Sequence, residues 1–268
     1  MNEEGETMKR IALMWMGLLL IWSATAHGAL RTESVEYKHG DIVLQGYLAY
    51  DDALRGKRPG VIVVHEWWGI NDFVKKRAEQ LAGLGYVAFA IDMYGKGVRA
   101  KDAKEARDLA TLYRNDRKLM RGRAMAGLDF FKKHPRVEAT MIAAVGYCFG
   151  GTVVLEMARA GAELRGVVSF HGGLDTPHPS DAKNIKGKVL VLHGADDPFV
   201  PKEQVLAFQE EMRKAAADWQ MIFYGGAVHS FTNPNAGNDP SKGSAYHEKA
   251  DSRSWEAMSL FLEEVFED

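Results

Sequence analysis

Cysteine occurs only once in this 268-residue sequence, at Cys148. A single cysteine excludes an internal disulfide and a Cys-x-x-Cys metal or redox motif, and no His-x-x-x-His pair is present either. There is no block of five or six like charges and the net charge is −2, so the composition gives no support for a nucleic-acid partner. No apolar run reaches the roughly 20 residues that a membrane-spanning helix needs, and no internal repeat is visible.

The N-terminus carries a pattern that the rest of the chain does not share. A basic pair at 9–10 precedes the apolar run 11–22, and small residues follow as far as Ala26. This three-part pattern, ending in Ala-x-Ala, is typical of a cleaved secretory signal peptide. We therefore predict a signal peptide over residues 1–26 and an exported protein, periplasmic in a Gram-negative host, with no membrane contact after cleavage. A membrane anchor or a buried helix is the alternative, and Met8 is a second candidate for the start.

The remainder, residues 27–268, is interpreted as one domain in which strand patterns alternate with helix patterns. Runs such as GVIVVH at 60–65 are continuously apolar, which favours strands buried on both faces. Alternating segments at 35–38 and 42–50 predict an antiparallel hairpin. The alternation as a whole predicts an α/β fold, with a mostly parallel sheet covered by helices on both faces. Further strands are expected at 86–91, 141–145, 164–170, 189–193 and 220–224. Helices are expected at 72–84, 103–134 (as one or two), 149–160, 202–216 and 252–266, with Arg117 to Arg123 on a polar helix face.

Reactive side chains follow four of these strands, and the candidate nucleophile is Cys148. The segment GYCFG around it fits G-x-C-x-G, the cysteine form of the nucleophile elbow of α/β-hydrolases, in which a strand turns sharply into a helix. The two glycines leave room for a close backbone approach. The N-terminal dipole of the following helix favours a thiolate. A buried structural cysteine in a glycine-rich turn is the alternative.

A candidate base and a candidate acid accompany Cys148. His229 follows an apolar strand and a Gly-Gly pair, where a neutral imidazole can accept the thiol proton. The string HGADDPFVP places Asp196 and Asp197 after another strand. The position within H-G-x-x-D-x-x-V-P favours Asp197 as the acid that orients His229, with Asp196 as a turn or capping residue. His193 is interpreted as structural.

Two backbone N–H groups are expected to form an oxyanion hole. One belongs to Phe149, directly after the nucleophile, and the other to Trp67, in the loop after the first buried strand. Trp68, Tyr94 and His171 are candidates for the wall of the substrate pocket. Packing is the alternative interpretation for the two adjacent tryptophans.

Together these motifs resemble those of the dienelactone hydrolase family of α/β-hydrolases. The resemblance is carried by VIVVHEWWGIND, IDMYGKG, VGYCFGG, HGADDPFVP and AVHSF, and it runs through nearly all of the mature chain. It implies the α/β-hydrolase fold and a Cys-His-Asp triad at Cys148, His229 and Asp197. It also implies that Glu66 contacts the resting thiol and moves when substrate binds. A surface position in a loop is the alternative for Glu66.

The resemblance does not extend to the substrate. Family members that open dienelactone have an arginine shortly after the catalytic histidine, whereas Ser-Phe-Thr-Asn-Pro follows His229 here. In those enzymes an arginine and a tyrosine after the IDMYG strand also contact the substrate. The same region of this sequence contains Arg107, Tyr113 and Arg114, but none of them aligns with a particular one of those two residues. The sequence therefore predicts a hydrolase of small-molecule esters or lactones that forms a thioester, uses no cofactor or metal, and is a monomer or dimer. Hydrolysis of thioesters or amides, and a non-catalytic binding protein, are the alternatives.

Overall fold

The computed structural model describes residues 30–267, and the predicted signal peptide at 1–26 lies outside the described residues. The described chain begins with a hairpin in which β1 (Leu30–His39) pairs antiparallel with β2 (Ile42–Asp51). The tight turn between them places Gly40 at a φ of 60°, which glycine adopts without steric cost. The predicted hairpin is confirmed, and both strands are longer than the alternation indicated.

Strands and helices then alternate as the hydrophobic pattern predicts. The elements are β3 (Arg58–Val64), α1 (Asp72–Gly83), β4 (Val87–Ile91), α2 (Ala103–Asn115), α3 (Arg117–Phe131), β5 (Val137–Tyr147), α4 (Phe149–Arg159), β6 (Gly166–Phe170), β7 (Lys188–Gly194), α5 (Lys202–Lys214), β8 (Trp219–Tyr224) and α6 (Glu248–Glu267). Short 3₁₀ helices lie at Pro179–Asn184, Pro234–Ala236 and Pro240–Lys242.

All eight of these strands form one sheet in the order β1-β2-β4-β3-β5-β6-β7-β8. The pairs β1–β2 and β2–β4 are antiparallel, and every pair from β4 to β8 is parallel. The α/β prediction, with an antiparallel start, is therefore confirmed. Because parallel strands share one polarity, their carboxyl ends meet at one edge, where α/β proteins bind ligands.

The sheet has a hydrophobic core on each face. Along β3, Ile62 and Val64 face one core, and Val61 and Val63 face the other. The first core includes apolar side chains of α2, α3, α4 and α5, and the second includes those of α1 and α6. Burial on both faces explains why the central strands read as continuous apolar runs rather than alternating ones.

The region 103–134 contains two helices, and two of the arginines of α3 are not where the sequence suggested. Asp116 separates α2 from α3 and caps α3 by accepting a hydrogen bond from the Leu119 N–H. Arg117 and Arg123 were expected on a polar face, but they are 7% and 4% exposed. That expectation is wrong because both have tertiary partners: Arg117 pairs with Asp175, and Arg123 donates to the Tyr94 carbonyl.

Candidate active site

Cys148 lies in a strained turn between the end of β5 and the start of α4. Its φ of 53° and ψ of −114° are uncommon for a residue with a Cβ. A Cβ at position 146 would lie 2.0 Å from the Gly150 carbonyl oxygen, and one at position 150 would lie 2.2 Å from the Val64 carbonyl oxygen. Neither position admits a side chain, so the glycines of G-x-C-x-G are required by backbone contacts.

His229 joins the cysteine to a carboxylate. Its Nε2 lies 3.0 Å from Cys148 Sγ, and its Nδ1 lies 2.8 Å from Asp197 Oδ2. An ionised carboxylate can only accept, so Nδ1–H donates to Asp197 and Nε2 faces the thiol. Burial lowers the pKa of His229, but the charge on Cys148 and the hydrogen bonds to Asp197 and Cys148 outweigh it and raise the pKa to about 10. The site therefore favours a protonated imidazolium at His229, next to the sulfur.

The two adjacent aspartates have different hydrogen-bond partners. The Asp197 side chain is fully buried against His229, and its Oδ1 also accepts a hydrogen bond from the Phe199 N–H. Asp196 is exposed and its Oδ2 accepts from the Gly226 N–H. Asp196 is thus a turn residue on the surface, and only Asp197 touches the imidazole.

Glu66 is buried beside this site but does not touch the sulfur. It is 2% exposed, and its carboxylate accepts hydrogen bonds from Asn233 Nδ2 at 2.6 Å and Ser230 Oγ at 3.3 Å. Burial raises the pKa of Glu66. A surface position for Glu66 is therefore excluded. The thiol contact implied by the family resemblance is not formed in this structure, where the hydrogen-bond partner of Cys148 Sγ is His229.

Two backbone N–H groups, those of Phe149 and Trp67, are the candidates for an oxyanion hole. Phe149 is the first residue of α4, and Trp67 lies in the loop that follows β3. Within residues 30–267, neither N–H donates to an acceptor. Free N–H groups at a helix start and on an adjacent loop are suited to bind a developing oxyanion.

Trp68 lies in the loop after β3, and Tyr94 in the loop after β4 contacts that loop. The Tyr94 hydroxyl donates to the Trp67 carbonyl at 3.0 Å, and its ring packs 5.7 Å from the ring of Phe149. Trp68 is half-buried and meets Trp67 edge-on at 5.3 Å. The pair of tryptophans therefore packs together and also keeps surface available beside the site.

His171 has a different position from the expected pocket wall. It is 0% exposed, its Nδ1 accepts a hydrogen bond from the Cys148 N–H at 3.1 Å, and its Nε2 lies 2.8 Å from Thr232 Oγ1. Burial lowers the pKa of His171 well below its usual range. A neutral His171 thus has no surface to offer a substrate, and it instead holds the backbone N–H of Cys148 in the elbow.

Sequence reasoning missed two residues that the structure places at the site. Phe199 is 59% exposed and packs edge-on against His229 at 5.4 Å, so it offers an apolar wall. Asn233 supplies the short hydrogen bond to Glu66. The available signals were their spacings, because Phe199 follows Asp197 by two positions and Asn233 follows His229 by four.

An eight-stranded, mostly parallel sheet with a cysteine elbow at the carboxyl edge and a neighbouring His–Asp pair defines an α/β-hydrolase. The profile described as "Dienelactone hydrolase family" matches residues 44–266. The chain belongs to this family, and it is therefore a hydrolase of the carboxymethylenebutenolidase-like type, which acts on lactones or esters.

Individual relatives agree with the family assignment. The solved structure named "m3DLH" is 44% identical, covers 89% of this chain and 100% of its own, and superposes with a TM-score of 0.86. A dienelactone hydrolase-like promiscuous phosphotriesterase, P91, from metagenomic libraries is 42% identical over 89% of this chain and 100% of its own, with a TM-score of 0.84. A Yersinia pestis protein named "Putative carboxymethylenebutenolidase" is 29% identical over 88% of this chain and 89% of its own.

Residues 30–267 contain neither a membrane-spanning helix nor a cluster of metal-ligating side chains. None of the helices in this range is both long and apolar enough to cross a bilayer. The same range contains no group of three or more His, Cys, Asp or Glu side chains arranged to hold a metal ion.

Proposed function

We propose that this protein is an exported hydrolase of neutral esters or lactones that uses Cys148 as a nucleophile and forms a thioester intermediate. The observation that carries the proposal is the position of His229, within 3.0 Å of the thiol and 2.8 Å of Asp197. This geometry supplies a nucleophile, a base and an orienting acid in contact with one another.

The reaction divides into two halves. The Cys148 thiolate attacks the carbonyl carbon, and the oxyanion is bound by the Trp67 and Phe149 N–H groups. The imidazolium of His229 gives its proton to the leaving alkoxide, which departs as an alcohol and leaves the thioester. His229, now neutral, takes a proton from water as the hydroxide attacks the thioester carbonyl. The tetrahedral intermediate then expels the Cys148 thiolate and releases the acid, which restores the thiolate and the imidazolium. Asp197 holds the imidazole in one tautomer throughout.

Replacement of the nucleophile tests this mechanism. With p-nitrophenyl acetate, Cys148→Ala should reduce turnover to the background rate, since no other residue can form the acyl-enzyme. Intact-mass measurement after rapid quenching should detect one added acetyl group on the unmodified protein and none on the variant. Normal turnover by the alanine variant would exclude the mechanism.

The neutral charge of the acyl group is inferred from the partners of Glu66. In the part of the chain that the structure describes, Glu66 meets an amide and a hydroxyl rather than an arginine. A buried carboxylate whose hydrogen-bond partners are neutral disfavours a second carboxylate nearby. We expect p-nitrophenyl acetate to react at least about 10-fold faster than mono-p-nitrophenyl succinate, whose acyl group carries a negative charge. The substitution Asn233→Arg should reduce this ratio of rates. Equal rates for both esters would contradict this assignment.

Phosphotriesters are a second candidate substrate class. The observation that favours them is the similarity to a protein described as a promiscuous phosphotriesterase. The two sequences are 42% identical, and the alignment covers 100% of that protein's chain. A neutral dialkyl p-nitrophenyl phosphate would be attacked at phosphorus by the Cys148 thiolate, with p-nitrophenolate leaving. The activity would be supported if the unmodified protein hydrolyses this compound and Cys148→Ala does not. It would be excluded if the unmodified protein releases no p-nitrophenol. A panel of thioesters and peptides separates the remaining hydrolase alternatives.

Export is the remaining part of the proposal. It is supported by the basic, apolar and small-residue pattern of residues 1–26. Expression of the full chain in a Gram-negative host should release a soluble periplasmic protein whose N-terminal sequence begins at His27. Recovery of uncleaved protein in the cytoplasm would contradict it.

A further inference from the structure

His65 is a fully buried histidine whose two ring nitrogens meet different parts of the backbone. It follows β3 directly and is 0% exposed. Its Nε2 lies 3.2 Å from the Met93 N–H, and its Nδ1 lies 2.5 Å from the Glu66 carbonyl oxygen. A backbone N–H can only donate, so Nε2 accepts and the proton resides on Nδ1, which donates to Glu66. Burial lowers the pKa of His65, in keeping with this neutral tautomer.

The Glu66 carbonyl that accepts this hydrogen bond belongs to the peptide unit that carries the Trp67 N–H. The Glu66 carbonyl and the Trp67 N–H are part of the same peptide plane, and all described peptide bonds are trans. In a trans peptide the C=O and N–H point in opposite directions. Fixing the carbonyl toward His65 therefore directs the Trp67 N–H to the other side. A hydrogen bond to the carbonyl also polarises the peptide and strengthens the N–H as a donor. The Gly69 N–H reaches the same carbonyl at 3.4 Å, a longer contact.

The surroundings of His65 keep its ring in one orientation. The ring packs against Tyr94 at 4.8 Å and against Phe149, which bears the second free N–H, at 6.0 Å. The Tyr94 hydroxyl donates to the Trp67 carbonyl and so restrains the next peptide unit as well. Both flanks of the Trp67 N–H are consequently held by buried side chains.

We propose that His65 is a positioning residue of the oxyanion hole, which orients and polarises the Glu66–Trp67 peptide so that its N–H stabilises the transition state. The inference rests on the proposed function, in which the Trp67 N–H receives the oxyanion. His65 contacts the peptide rather than the substrate. Its loss should therefore reduce the rate of acyl transfer and leave the reactivity of the thiolate unchanged.

A comparison of two reactions of Cys148 tests the proposal. Ester hydrolysis needs the oxyanion hole, whereas alkylation by iodoacetamide occurs at a tetrahedral carbon and needs only the thiolate. His65→Leu should lower kcat for p-nitrophenyl acetate about 100-fold, the usual effect of losing one oxyanion donor, with KM changed less than about 3-fold. The rate of alkylation should stay within about 3-fold. His65→Asn places an amide N–H near the position of Nδ1 and should recover most of the kcat.

The other outcomes are equally informative. If His65→Leu leaves kcat unchanged while Cys148→Ala is inactive, His65 has no positioning role and the proposed mechanism remains. If hydrolysis and alkylation fall together, His65 acts on the nucleophile or the fold, and the proposal is wrong. Should the leucine variant fail to fold, ¹⁵N NMR of the unmodified protein decides the point, because a proton found on Nε2 rather than Nδ1 would overturn the proposal.

Discussion

At the scale of single residues, the two adjacent aspartates offer a matched pair. Asp197→Asn removes the charge that holds His229 Nδ1–H, so the imidazole can turn to the wrong tautomer, and kcat should fall at least about 100-fold. Asp196→Asn keeps an oxygen acceptor for the Gly226 N–H and should leave kcat within about 3-fold. Steady-state kinetics with p-nitrophenyl acetate measures both. A larger loss for position 196 would reverse the assignment of the acid.

The buried carboxyl of Glu66 predicts a dependence of stability on pH. Its pKa is raised by burial, so the folded state binds its proton more tightly than the unfolded state. The resulting cost is absent below the unfolded pKa and grows as the pH rises through the folded pKa. Glu66→Gln should therefore increase the free energy of unfolding more at pH 8 than at pH 5. Urea unfolding of both proteins at the two pH values checks this, and an equal difference at both would refute it.

At the scale of elements, the contact between β3 and α4 limits what the elbow tolerates. A Cβ at Gly150 would overlap the carbonyl oxygens of Val64 and His65 at 2.2 Å and 2.8 Å. Backbone atoms cannot rotate away, so Gly150→Ala should destabilise the fold by about 3 kcal/mol or more. Gly83→Ala is the control, since a Cβ there meets nothing within 4 Å and should stabilise α1 by up to about 1 kcal/mol. Urea unfolding distinguishes the two, and similar effects would contradict the overlap.

The elements themselves were largely predictable from the sequence. The apolar runs that become β3 to β8 and the glycine-flanked Cys148 are local patterns, so their outcome needed no tertiary information. The observed ends of the strands and helices differ from the predicted ends by a few residues. The prediction was wrong for Arg117 and Arg123 of α3. The sequence pattern of an amphipathic helix is the same whether water or a buried carbonyl accepts the hydrogen bonds of its arginines. The pairing of Arg123 with the Tyr94 carbonyl depends on how α3 packs against the loop after β4.

At the scale of the whole molecule, a buried ionic cluster joins α4 to α5 on one face of the sheet. Arg159 is 1% exposed and bonds Glu156 at 3.0 Å and Glu211 at 2.7 Å. Arg159→Leu would leave Glu211 buried without its cation, and the free energy of unfolding should fall by about 3 kcal/mol or more. Arg213→Leu breaks an exposed pair with Glu210 and should cost less than about 1 kcal/mol. Thermal and urea unfolding measure both, and a small effect at position 159 would show that the cluster is dispensable.

The sequence by itself determined the kind of fold, the elbow at Cys148 and the order of its partners, because each follows from spacing along a short segment or at a strand end. Only the tertiary structure decided which groups meet. Cys148 and His229 are 81 positions apart, and Glu66 and Asn233 are 167 apart. Their contacts depend on strand order and loop packing, which no local pattern specifies. The same packing leaves Glu66 hydrogen-bonded to Asn233 rather than to the thiol, and it places His65 Nδ1 against the carbonyl of the peptide that bears the Trp67 N–H.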